Sequence, residues 1–137
     1  MSKETVRKAT FKDLIAKKIK KEEEQFKTKD IFISSMDAAL TFHKPTDDQV
    51  LDVIDEIGEG KDSKKMVSAY RKLIYLCCNM LQDPDLHKEI DVVDPFDTVN
   101  KLFDLADVME IGEQLMDMTG IGDKVEEIKN SYSTMQT

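Results

Sequence analysis

Cys77, Cys78, His43, His87 and the aspartates between Asp83 and Asp94 are the residues whose types could ligate a metal or move a proton. Their spacing argues against each such use. The two histidines fall in different predicted elements with no Cys or carboxylate at ligand spacing, which does not make a zinc site. Asp83, Asp85, His87 and Asp94 can be laid on the first, third, fifth and last positions of a calcium loop. Lys88 then stands where the loop needs Gly, and Asp94 where it needs a bidentate Glu. The vicinal cysteines lie in an apolar helical stretch, where successive side chains point about 100° apart and do not form an ordinary disulfide. They read as core fillers. There is no phosphate-cradling glycine loop, no nucleophile elbow and no His-Glu pair of the metalloprotease type. The many carboxylates fall on hydrophilic helix faces rather than in the contrasting environments that acid–base catalysis requires. A non-enzymatic protein without cofactor or metal is expected.

Methionine is the other chemically distinctive type. Met109, Met116 and Met118 cluster with Leu115 near the end of a predicted helix. The flexible, polarizable thioether fills irregular core gaps and also suits adaptable binding surfaces. Two readings stay open: internal packing, or a groove for a partner helix with apolar anchors at helical spacing. On the second reading Met109, Leu115, Met116 and Met118 bind the partner.

The elements that hold these residues are mostly helices. Thr10 caps a helix bearing Phe11, Leu14, Ile15 and Ile19 on one side and Lys12, Lys17, Lys18, Lys20 and Lys21 around the rest. Ile31-Phe32-Ile33 and Ala39 to His43 read as the two strands of a hairpin around Ser34-Ser35-Met36-Asp37. Such a ribbon is marginal in water and must lie on a helix or on another subunit; Ile31, Ile33 and Phe42 are the candidates for self-association. Thr46 and Gln49 form a capping box before a helix with Val50, Val53, Ile54 and Ile57 on one face. Asp48, Asp52, Asp55, Glu56 and Glu59 form an acidic ridge beside it, which is either a solvated face or a seat for the Lys-rich first helix, in cis or from a neighbour. A central apolar helix is predicted over about 64–82, because Leu73 to Leu81 is apolar almost all round. Asp83-Pro84 and Asp94-Pro95 each mark a further helix start, with Asp at the N-cap and Pro at the first helical position. The second start carries Phe96, Val99, Leu102 and Phe103. A shift of the apolar face near Asp104 to Asp107 marks a bend or a new helix, ending at Gly120.

The expected fold is α+β and predominantly α-helical, with five to six helices around the central one and a small antiparallel β-hairpin near residues 26–44. Residues 1–9 are expected to be loose, 10–120 to form one domain, and 121–137 to hold a weak helix around Val125 and Ile128 with a frayed tail. The 137 residues suit one domain, and 40% apolar with 35% charged residues is a globular balance. The net charge of -8 divides into +5 over residues 1–29 and -13 over the rest. An acidic body repels nucleic acid and anionic membranes, and the basic N-terminus lacks interleaved aromatics for base stacking. With no signal sequence, no disulfide framework and no run of about 18 apolar residues, a cytoplasmic location is expected.

The order of these features resembles the tail assembly chaperones of Bacillus prophages and related tailed phages, the XkdN and YqbN type. The similar pieces are the charged first helix, Asp30-Ile31-Phe32-Ile33-Ser34 leading to Leu40-Thr41-Phe42-His43-Lys44-Pro45, and the helix from Asp47 to Ile57. They continue through Leu76-Cys77-Cys78-Asn79-Met80-Leu81, Asp83-Pro84-Asp85-Leu86, Asp94-Pro95-Phe96-Asp97-Thr98-Val99 and Leu102-Phe103. Members often carry Gly between the last two helices, where this chain has Leu105-Ala106. The resemblance spans about residues 10–120. It implies a small cytoplasmic protein of the bacterial host that coats the phage tape measure protein and helps tail tube subunits assemble around it. It further implies self-association into rings or spirals, production in two lengths by frameshifting, absence from the mature virion, and no catalysis. The alternative from another class is an acidic, DNA-mimic-like regulatory module binding a basic protein through the ridge from Asp48 to Glu59.

Overall fold

A computed structural model describes residues 6–59 and 62–121. Within them the fold is α+β and predominantly helical. Six helices and one two-stranded antiparallel hairpin occur in the order α1 (Phe11–Glu24), β1 (Thr28–Ile33), β2 (Ala38–His43), α2 (Asp47–Ile57), α3 (Ser63–Leu76), α4 (Pro84–Glu89), α5 (Thr98–Leu102) and α6 (Leu105–Met118). Val125 and Ile128, where a weak last helix is expected, lie outside the described residues, as do residues 1–5.

Local chemistry sets most of the boundaries. Thr10, Thr46 and Asp104 each accept from the backbone N–H three residues on, while Asp13, Gln49 and Asp107 return a bond to the cap's own N–H. Asp62, Asp83 and Asp94 cap as single aspartates, accepting from Lys64, Asp85 and Phe96 N–H at 3.0, 2.9 and 3.1 Å. The Asp94-Pro95 start opens a 3-10 turn, Pro95–Asp97, that runs into α5. The break between α5 and α6 falls at Phe103 and Asp104, both at negative φ, so no glycine is needed there. Gly120, at φ 70°, ends α6 in the left-handed region that favours glycine.

The central helix is shorter than its apolar run. α3 stops at Leu76, and Met80–Gln82 forms a separate 3-10 turn. Groups remote from the helix take over its last carbonyls. His43 N–H donates to Cys77 O at 2.7 Å, and the Gln82 side-chain amide donates to Tyr75 O and Leu76 O at 2.9 and 3.1 Å. Those partners satisfy orphan carbonyls that would otherwise favour continuing the helix. Cys77 and Cys78 are buried as free thiols, as core fillers should be, but lie just past the helix rather than in it.

α3 packs against α2 on one side and α6 on the other, with the hairpin completing the enclosure. Gly112 makes the α3–α6 crossing close: a Cβ there would lie 2.3 Å from Tyr70 Cδ2. The hairpin pairs Ile31 with Leu40 and Lys29 with Phe42. Strand alternation sends Ile31, Ile33, Leu40 and Phe42 inward and leaves Phe32 outside. Asp37 closes the turn at φ 51°, a conformation aspartate tolerates better than most side chains.

Candidate partner-binding surfaces

The hairpin residues expected to meet another subunit instead face this chain's own core. Ile31, Ile33 and Phe42 are 0%, 2% and 0% exposed. The strand period gives two faces, and the body's helices cover the apolar one, so self-contact through these three side chains is corrected to internal packing. The methionine cluster divides. Leu115 and Met116 are buried against α3, while Met109 and Met118 are half-buried at the edge of the same core. Leu115 and Met116 are therefore packing residues, and carboxylates there would disrupt the fold rather than spare it.

One run of exposed apolar side chains lies on α1. None of its residues is buried, and Phe11, Leu14, Ile15 and Ile19 are 78%, 64%, 46% and 50% exposed. At about 100° per residue these four fall on one side of the helix, where Lys18 and Glu22, paired at 3.0 Å, lie among them, with Lys12 on one border and Lys17 and Lys21 on the other. The helix is nonetheless well specified at its start. Asp13 accepts from Thr10 N–H at 2.7 Å and from Arg7 Nη1 at 2.6 Å. The Arg7 guanidinium first, and the Thr10 N–H second, hold the Asp13 carboxyl down at about 2. Contact with the body is electrostatic and sparse, Lys21 Nζ standing 4.0 Å from Asp47 and Lys44 Nζ 3.8 Å from Glu24. Exposed pairs of this kind contribute little.

A second apolar surface opens between α2 and the end of α6. It is a groove of about 240 Å³ lined by Asp47, Val50, Leu51, Ile54, Thr119 and Ile121. Leu51 is more than half exposed there. On the side of α2 turned away from the core run Asp48, Asp52 and Asp55, all exposed. The periodicity that identified Val50, Val53 and Ile57 as core gave no sign of this groove, because Thr119 and Ile121 reach it from a distant part of the chain. Leu51, breaking the polar run on the ridge side, was the available signal.

The groups that could do chemistry are occupied structurally. His87 Nε2 is 2.7 Å from Leu81 O and its ring stacks on Tyr75. The Cys77 thiol is pushed up to about 12 by burial and then by Cys78, which leaves it protonated and unreactive at neutral pH. Asp107 is buried but bonded to Ser35 Oγ at 2.9 Å and to the Asp104 N–H. Among the described residues, no three His, Cys, Asp or Glu side chains are grouped to hold a metal ion. No helix among them is long and apolar enough to cross a membrane. In comparisons with known proteins, no family model, no curated protein and no solved structure matches the chain.

Proposed function

We propose that this protein is a non-catalytic tail assembly chaperone, which shields apolar helical stretches of a phage tape measure protein and promotes tail tube assembly around it. The observation that carries the reading is α1: a helix with a capping box at its start whose apolar stripe is exposed among the described residues. A stripe of this kind is a helix-recognition surface awaiting a second apolar face. The acidic body keeps such a complex soluble. The protein acts in the bacterial cytoplasm and leaves before the virion is complete. The DNA-mimic alternative has less support, since the free carboxylates of α2 sit on one short helix beside an apolar groove rather than covering a broad face.

Co-expression with the tape measure protein of the same operon tests this. The wild-type chain should bring that client into the soluble fraction, and the double variant Ile15→Asp, Ile19→Asp should not. A client that stays insoluble with the wild-type protein, or is equally soluble with the variant, ends the proposal.

A further inference from the structure

We infer that α1 is a swinging arm, hinged at Gln25–Lys27 and fastened to the body by a salt-sensitive charge latch centred on Glu24. The inference concerns how the helix is held and does not depend on what its stripe binds. Among the described residues nothing in α1 is buried, and from Leu14 to Glu23 every residue is exposed. Glu24, at the foot of the helix, is half-buried, with Lys27 Nζ at 3.5 Å and Lys44 Nζ at 3.8 Å. Lys21 adds a contact to Asp47 at 4.0 Å. No other ion pair among the described residues joins α1 to the hairpin or to the other helices.

The connection itself is slight. Gln25 and Phe26 are exposed turn residues, and the Phe26 and Lys27 N–H groups donate to Glu23 O and Glu24 O at 3.2 Å, the long end of the hydrogen-bond range. The sheet takes over at Lys27, whose carbonyl accepts from Lys44 N–H at 2.9 Å. A cleft of about 380 Å³, lined by Lys21, Glu24, Phe26, Lys44, Pro45 and Asp47, separates the foot of α1 from the start of α2 and leaves the helix room to tilt. At 1.5 Å per residue α1 is about 21 Å long, so a small rotation at its foot carries Phe11 through a wide arc. Exposed ion pairs are individually weak, and the distance over which they act falls from about 10 Å at 0.1 M salt to about 3 Å at 1 M. The latch therefore holds the arm at low ionic strength and releases it at high, while the capping box, which lies at the opposite end, keeps the helix formed. Glu24 with Lys44 is the main fastening, being the least exposed of the three pairs.

Residual dipolar couplings of the full chain decide the matter, since they report the orientation of α1 against the body. At about 0.02 M salt both should fit one alignment tensor, and at about 0.5 M the couplings of residues 11–24 should shrink at least twofold relative to those of α3 and α6. Cα chemical shifts should show α1 helical at both salts. Glu24→Gln, and Lys44→Gln outside the helix, should each give the high-salt result at low salt. Glu24→Lys combined with Lys27→Glu and Lys44→Glu should restore the single tensor. An α1 that shares the body's tensor at both salts, one that moves freely at both, one that loses its helical shifts at high salt, or latch variants that behave like the wild type would overturn the inference. The latch variants keep the stripe, so in the co-expression assay a client left insoluble by the wild-type chain ends the chaperone reading and leaves the latch standing.

Discussion

α1 and α6 are near twins in construction and opposites in circumstance. Each has fourteen residues, a capping box with Asp at the third helical position, and an apolar stripe at helical spacing. α6 buries Val108, Ile111, Leu115 and Met116, whereas α1 buries nothing. Amphipathic periodicity thus states that a helix needs a partner without stating where the partner is. The difference lies in the company each keeps: α6 meets α3 across Gly112, where a missing side chain admits the neighbour, and among the described residues α1 reaches the body through ion pairs such as Lys21 with Asp47 and Glu24 with Lys44.

The sharpest way to break this contrast is to put the same carboxylate on both helices. Leu115→Asp should unfold the protein or cost about 4 kcal/mol or more, since it leaves a charge without a partner in the core. Ile15→Asp should move the thermal midpoint by no more than a surface change does, about 0.5 kcal/mol in stability. Equal losses of stability for the two would mean that α1 is covered in solution by its own chain.

A smaller effect probes the crossing itself. Gly112→Ala should destabilise by about 1–3 kcal/mol, because the new methyl collides with the Tyr70 ring root and the helices must separate. The converse change on α1, Ala16→Gly, should reduce helicity locally and leave the denaturation midpoint in place. Chemical denaturation followed by circular dichroism reads both.

The gentlest test is acid. Asp13, held at about 2 against an ordinary 3.8, supports the start of α1 while ionised. Its folded value lies below the unfolded one, so the support is complete above about pH 4 and fades as pH falls toward 2. Helicity of α1 should drop over that window, and Asp13→Asn should remove the dependence. Residue-resolved amide exchange across residues 11–24 follows it separately from the body.

What could be read from the chain beforehand follows the range of each interaction. Caps at Thr10, Thr46, Asp83 and Asp94 act over two or three residues, and each appears where its sequence places it. The alternation of Ile31, Phe32 and Ile33 gave the hairpin, but nothing local told whether its apolar face met this chain or another. The end of α3 was invisible for the same reason. His43 and Gln82 terminate it from outside, within a run whose hydrophobicity alone would carry the helix onward. Of the site, the stripe on α1 was legible as a pattern and its lack of cover was not. Leu115 and Met116 admitted both readings, core packing and adaptable surface, because methionine serves both settings, and the neighbouring α3 decides between them.

The bond from Ser35 to Asp107 joins groups 72 positions apart, and β1 packs against α6 in the same region. During synthesis the hairpin therefore leaves the ribosome long before the helix that shelters its inner face exists. Until α6 emerges, Ile31 and Ile33 have only part of their enclosure, and such distant closure slows folding. The nascent chain completes its body late, with the first helix already free to find company.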